Sequence, residues 1–356
     1  GNISWGLKSP DIEDLKDLTI WVWTESLWAP ITFTRAALSE DANNGGSRYS
    51  SDEWRDWWCS DDAAVYQFIG QDNIFFYCIV QNPLWDALDW GLITDTPVAN
   101  YHILFMNKKA SSSGAIKPPM AEELLEFYTP EQLRAHWLSL GLDQRAVSFS
   151  PKAFDTSVSR KGKDGEPDLL VKDDPRVVDP ALKESAFLTN IFNRMARSCL
   201  YGAANACGGH LPISEPHQEV IDASQEVLLK YEQLAYCFDA HSALAAVDEY
   251  ARAENKRWGE ASKAAQGNDE AYDQALADAF YALKTITLLM HPAVPEGCER
   301  IADALNFPHE EFFSWENAFM GPKELAAKLG QSAEDHQLEE LPPRFDFFKA
   351  HPSQKN

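Results

Sequence analysis

The chain has 356 residues, 45% of them hydrophobic, and a formal net charge of −24. That length suggests two domains, each with its own core. So acidic a balance argues against a general nucleic-acid coat, on DNA or RNA, and leaves a nucleic-acid partner to a local patch. No apolar run is long enough to span a bilayer, and none follows a basic start as a signal peptide would. The six cysteines, Cys59, Cys78, Cys199, Cys207, Cys237 and Cys298, form no Cys-x-x-Cys pair and no compact Cys/His cluster. No zinc site is therefore expected. Their apolar settings predict reduced core thiols in a cytoplasmic protein.

Residues 1–17 are turn-rich, and the abrupt opening on Asn2-Ile3-Ser4-Trp5-Gly6 reads as that of a fragment. Thr19-Ile20-Trp21-Val22-Trp23 is β-branched or aromatic throughout and predicts a strand. A helix is predicted over 28–38 and a loop over 41–51, which is rich in Asn, Gly and Ser. After the aromatic Trp54-Arg55-Asp56-Trp57-Trp58 comes a second strand, 64–70, ending in Gly70. Gln71-Asp72-Asn73 opens a helix over 74–88, with Asp72 or Asn73 as its N-cap. Polar groups at the end of such a strand also face the ligand crevice of an open α/β sheet.

A turn at 94–97 leads to a strand over 101–106. It empties into Asn107-Lys108-Lys109-Ala110-Ser111-Ser112-Ser113-Gly114, a small, polar, cationic loop. Lysine charge and backbone amides in such a loop can hold a polyphosphate. Helices over 122–127 and 130–140 follow. Strands alternating with helices predict a parallel sheet.

Residues 155–179 change character. Ser157, Ser159, Arg160, Lys161, Gly162, Lys163 and Gly165 make the stretch locally basic in an acidic chain. It reads as a solvated insertion or linker, with an RNA backbone contact as the second reading. From Pro180 the pattern is helical, over 181–206, 218–236, 241–259, 268–290 and 296–305. Leu228, Leu229, Tyr231 and Leu234 mark one apolar face, and Leu276, Phe280, Leu283, Ile286, Leu289 and Met290 another. Those faces predict an antiparallel bundle. The fold class is thus α/β followed by all-α, divided as 1–150, 151–180 and 181–356.

Motifs narrow this reading. Trp57-Trp58, then Val65-Tyr66-Gln67-Phe68-Ile69-Gly70-Gln71-Asp72-Asn73, then 107–114 stand in the order and spacing of a class I methionyl-tRNA synthetase. Trp5-Gly6-Leu7-Lys8-Ser9-Pro10 resembles that family's Trp-Gly-x-x-x-Pro turn. Val22-Trp23-Thr24-Glu25 resembles the strand lining its amino-acid pocket, and Lys109-Ala110-Ser111-Ser112-Ser113 resembles its KMSKS signature. In the helical half, Asn193-Arg194-Met195-Ala196-Arg197 resembles the family's Asn-x-x-x-Arg anticodon motif. Trp258, after Glu254-Asn255-Lys256-Arg257, falls at its anticodon-stacking tryptophan. Residues i and i+4 share a helix face, and Asn, Arg and Trp suit the edges and faces of unstacked bases. With Leu288-Leu289-Met290-His291-Pro292 and Ser314-Trp315, the resemblance covers most of 1–320.

The resemblance implies a partial class I Rossmann-type parallel sheet plus an anticodon-binding bundle. It implies activation of an amino acid by ATP, accompanied by Mg2+, to an aminoacyl-adenylate, then transfer to tRNA with a methionine-type anticodon. Lys109, Ser111 and Ser113 are its implied catalytic group, and Gly70, Asp72 and Lys108 its nucleotide-binding group. Trp23, Leu27, Tyr77 and Gln81 are the implied amino-acid pocket, and Asn193, Arg197 and Trp258 the implied anticodon readers. The sequence also departs from the family. It contains no HIGH-type signature, and Ser112 stands at the signature's second lysine. Leu27, Pro30, Tyr77 and Gln81 stand at the pocket proline, tyrosine, histidine and tryptophan. The expectation is a ligase present without its HIGH-motif half, inactive by itself; the alternative is a non-catalytic tRNA-binding or regulatory paralogue.

Overall fold

The computed structural model describes residues 5–20, 22–46, 48–92, 96–109, 117–154, 158–161, 167–170 and 178–354. They fall in two compact units, Gly1–His102 and Ile103–Asn356. Among the described residues no helix is long and apolar enough to cross a membrane.

The first unit holds α1 (Val22–Ser26), α2 (Ala29–Asn43), α3 (Trp54–Trp58), β1 (Tyr66–Gly70), α4 (Asn82–Leu88) and β2 (Thr96–Asn100). β1 and β2 pair in parallel, from Tyr66 against Thr96 to Gly70 against Asn100. Along β1, Gln67 and Ile69 are buried while Tyr66 and Phe68 are exposed, the two-residue period of a pleated strand. The core is aromatic. Trp58 meets Trp85 edge-on at 5.7 Å, and its Nε1 donates to Thr34 Oγ1 at 2.9 Å. A buried indole thereby keeps a partner for its N–H.

The segment expected to be a strand at 19–23 is different. Thr19 meets Lys8 in an isolated antiparallel bridge, and Val22–Ser26 is helical. β-Branched and aromatic residues favour a strand where a pleated surface receives them. Here the chain turns into α2 instead, with proline in that helix's first turn, and Ser26 Oγ donates to Trp23 O at 3.0 Å. α2 also runs past the expected end at 38, to Asn43. The stretch 71–88, expected as one helix over 74–88 opened by Gln71-Asp72-Asn73, is three pieces: a 3-10 turn Gln71–Asn73, a π segment Phe75–Gln81, and α4. Pro83 has no N–H to return to the carbonyl four residues earlier, so the ladder changes pitch there.

The second unit begins with a three-stranded sheet in the order β4 (Lys108–Lys109), β3 (Ile103–Phe105), β5 (Val147–Phe149). β3 runs parallel to β5 and antiparallel to β4. Met106 and Asn107 both have positive φ, 48° and 60°. That is the geometry of a tight two-residue hairpin, whose twist matches its strands. The lysine pair is therefore strand, not loop. α5 (Ala121–Leu125) and α6 (Pro130–Leu138) pack Leu124 and Leu133 with Phe105, Tyr128 and Phe149. Within 155–179, read as an insertion or linker, β6 (Val158–Lys161) and β7 (Pro167–Leu170) form an antiparallel hairpin.

A π segment, Phe187–Phe192, leads into α7 (Asn193–Ala206), α8 (Gln218–Tyr236), α9 (Ala240–Ala264), α10 (Asp269–Met290), α11 (Pro295–Ala304), α12 (His309–Phe312) and α13 (Pro322–Lys328). Asn268 caps α10, its side chain accepting from Ala271 N at 3.1 Å. From Ala275 to Met290 every residue of α10 is buried. A helix buried on all faces is the axle of a bundle, and α7, α8, α9, α11 and α13 pack against it. The chain's tail enters the same core through Phe347 and Phe348, and Phe348 lies 4.9 Å from the ring of Phe192. All six cysteines are free; Cys199 and Cys298 are core thiols as expected, but Cys237 is exposed.

Lys284 is fully buried within α10. Its ammonium donates to the carbonyls of Asn317 and Ala318. Burial pushes its pKa down from 10.5 to about 8, against the pull of Glu324. Between those values the unfolded chain holds a proton that the folded chain has lost, so stability rises with pH across that window. Wild type is expected to gain stability relative to Lys284→Met from pH 8 to 10.5 in chemical denaturation, and a constant difference contradicts this. A Cβ on Gly297 would run into the ring of Phe348. Gly297→Ala is expected to cost about 1–3 kcal/mol, read as a lower melting temperature; an unchanged melt would show that the tail is not packed there.

Candidate functional site

The residues assigned to phosphates sit at two strand ends. Lys108 and Lys109 are exposed on β4, opposite Phe105 and Leu104. The hairpin beneath them is pinned by Asn107 N, which donates to Ser148 Oγ at 2.8 Å. Ser111 and Ser113, and Ser112 between them, lie outside the described residues. Gly70 ends β1 and caps the turn Gln71–Asn73. A Cβ at Gly70 would stand 2.8 Å from Asp72 Oδ1. Glycine thus lets the Asp72 carboxylate fold back against the strand end. Gly70 and Asp72 belong to the first unit, Lys108 and Lys109 to the second. Among the described residues no group of three or more His, Cys, Asp or Glu side chains could hold a metal ion.

The pocket residues are tied together inside the first unit. Leu27 and Gln81 are buried. Gln81 Nε2 donates to Leu27 O at 2.9 Å, and Gln67 Nε2 donates to Gln81 Oε1 at 2.7 Å. Both ends of the Gln81 amide are engaged inward, so it seals a wall. Trp23 lies flat on Phe76, centroids 4.3 Å apart and planes 6° from parallel. Tyr77 is half-buried on the π segment that also carries Phe76 and Gln81. Sequence reasoning missed Gln67 and Phe76. Gln67 had a signal, being a polar residue at an inward position of a strand.

The anticodon triplet converges on the bundle core and the tail. Asn193 is 2% exposed. Its Nδ2 donates to Asp346 Oδ1 at 2.8 Å and to Phe348 O at 3.5 Å, and its Oδ1 accepts from Phe347 N at 2.8 Å. One turn on, Arg197 Nη1 donates to the same Asp346 Oδ1 at 2.7 Å and to Phe345 O at 3.4 Å. The Arg197 side chain is 28% exposed. Trp258 is 6% exposed, donates from Nε1 to Ser198 Oγ at 2.7 Å, and meets Tyr272 edge-on at 5.8 Å. A stacking tryptophan must offer a ring face, and as placed Trp258 is a core residue; Asn193 likewise faces the tail. Of the three, Arg197 is the one turned to solvent, beside exposed Arg194. Asp346, Ser198 and Tyr272 were missed, because each is distant in sequence from the residue it contacts.

Comparison with known proteins finds likenesses in sequence and in fold. The family model described as tRNA synthetases class I (M) matches residues 1–161. The methionine–tRNA ligase of Methanoculleus marisnigri is 23% identical over 312 residues, 86% of this chain and 40% of that protein. That of Archaeoglobus fulgidus is 22% identical over 316 residues, 87% of this chain and 41% of that protein. The chain therefore spans about 40% of the length of the curated relatives it matches. Among solved structures, the fold resembles Mycobacterium tuberculosis methionyl-tRNA synthetase bound by methionyl-adenylate. The TM-score is 0.68 at 18% identity, over 98% of this chain and 59% of that one. The α/β unit followed by a helical bundle is thus the fold of these enzymes, and it is residues 1–161 that match the class I tRNA synthetase (M) family.

Proposed function

We propose that the chain serves an aminoacyl-tRNA ligase of the methionyl type, which activates an amino acid with ATP and passes it to tRNA in the cytoplasm. The observation that carries this reading furthest is the α7 site, where a helix-borne arginine is held in place yet open to solvent. In the reaction, Lys108 and Lys109 neutralise charge as it builds on the departing pyrophosphate, and Ser111 and Ser113 donate hydrogen bonds to it. Asp72, given room by Gly70, accepts from ribose hydroxyls. Mg2+ accompanies ATP. Trp23 and Tyr77 shape the amino-acid pocket against the wall of Leu27 and Gln81. Rate comes from positioning and electrostatics, with no side-chain nucleophile. In the bundle Arg197 reads the anticodon, one turn from Asn193 on α7, with Trp258 packed in the core. The HIGH-motif contribution is assigned to sequence outside this chain.

A second reading is a tRNA-binding paralogue that does no chemistry. The stack of Phe76 on Trp23, the inward-tied Gln81 amide and Ser112 at a lysine position favour it.

Methionine-dependent ATP–pyrophosphate exchange by this chain alone is expected to be absent, and exchange above background overturns the assignment of half the ATP site to other sequence. An RNA hairpin with a CAU anticodon loop is expected to bind more tightly than the same hairpin with a scrambled loop. Low ionic strength suits the titration, because a chain of charge −24 binds RNA weakly and in a salt-sensitive way. Arg197→Ala is expected to remove about 1–3 kcal/mol of that preference. Equal affinity for both loops in the wild type rejects the anticodon assignment.

A further inference from the structure

We propose that Asp346, in the C-terminal tail, is the positioning residue of the RNA-reading site on α7: Asn193 holds the tail, and the tail's carboxylate fixes the guanidinium of Arg197. The inference rests on the anticodon reading given above and adds to it a residue from the far end of the chain.

Asp346 Oδ1 receives both Asn193 Nδ2 and Arg197 Nη1, at 2.8 and 2.7 Å. Asn193 and Arg197 are four residues apart on α7, so one face of one helix presents both donors to one oxygen. An ion pair between two long, mobile side chains is weak, because both must be ordered to make it. Asp346 is short, and its backbone is already fixed. Tyr201 Oη donates to Pro342 O at 2.8 Å and accepts from Phe345 N at 3.3 Å. Phe347 N donates to Asn193 Oδ1 at 2.8 Å, and Arg300 Nη1 donates to Phe347 O at 2.8 Å. Phe347 and Phe348 are 0% and 2% exposed. The carboxylate thus stands between anchored residues, and the fold aims it at Arg197.

The consequence for Arg197 is directional. Its bonds to the tail run through Nη1. A guanidinium is a rigid planar fork, so two acceptors on Nη1 together orient the plane that carries Nε and Nη2. Nε and Nη2 then meet a base edge in one orientation, as a bidentate reader of a base must. Asp346 also lowers the net charge at the site. That trades general attraction for phosphate against selectivity for a base, in a chain whose acidity already disfavours general binding.

The test is the affinity ratio between the CAU hairpin and the scrambled hairpin, measured by titration on the whole chain. Asp346→Ala is expected to cut the ratio on the order of tenfold, with affinity for the scrambled hairpin unchanged or raised. Asp346→Asn keeps an acceptor oxygen and is expected to retain most of the ratio. In an Arg197→Ala background, Asp346→Ala is expected to change the ratio no further. A ratio untouched by Asp346→Ala overturns the proposal. So does equal loss in the Ala and Asn variants, or a further loss without Arg197. Thermal unfolding of each variant separates these effects from misfolding, and should the Ala variant not fold, loss of the ratio in a folded Asn variant overturns the proposal. A wild type with no preference at all fails the anticodon reading instead.

Discussion

The helical part of the chain depends on keeping α10 away from water on every side. Sixteen consecutive buried residues, from Ala275 to Met290, demand a cover all round. Its polar side chains must also find partners, since an unpaired buried charge is costly. Asp278 accepts from both His217 N and His217 Nδ1, each at 2.7 Å, and Lys284 is capped by two carbonyls. Helices α7, α8, α9, α11 and α13 supply most of the cover. The tail completes the same core through Phe347 and Phe348.

That requirement explains why an asparagine and an arginine on α7 face a carboxylate. The tail brings two phenylalanines into the core, and its backbone polar groups must be paired on the way in. Asn193 accepts from the Phe347 amide and donates to the Phe348 carbonyl. Asp346, between anchored neighbours, is left beside Arg197. Structure and proposed function therefore share these atoms. The asparagine serves packing, and the arginine is steadied by packing while remaining open to solvent.

The bundle was legible because its signal is strong: a helix read over 268–290 is observed as Asp269–Met290, with apolar residues at every turn. The α/β part was less so. Val22 and Trp23, the end of the strand expected over 19–23, open a helix instead, since a strand needs a neighbour that local sequence does not reveal. The lysine pair at 108–109 was read as loop because a two-residue hairpin at Met106-Asn107 lacks the glycine that usually marks one. Asn193 and Arg197, the implied anticodon residues on α7, were named from the sequence, but their partner was not. Asp346 is 149 residues from Arg197, and nothing local to either announces the other. The bond between Gln67 and Gln81, 14 residues apart, was hidden by the π segment, whose pitch departs from the helical period.

The tail is part of the bundle core, with the Asn193 amide as its clamp. Native-state hydrogen exchange at the Phe347 amide tests it directly. This proton is expected to exchange as slowly as the buried amides of α10, and Asn193→Ala is expected to speed it while those of α10 remain protected. Exchange at the rate of an unstructured chain end in the wild type would contradict the account.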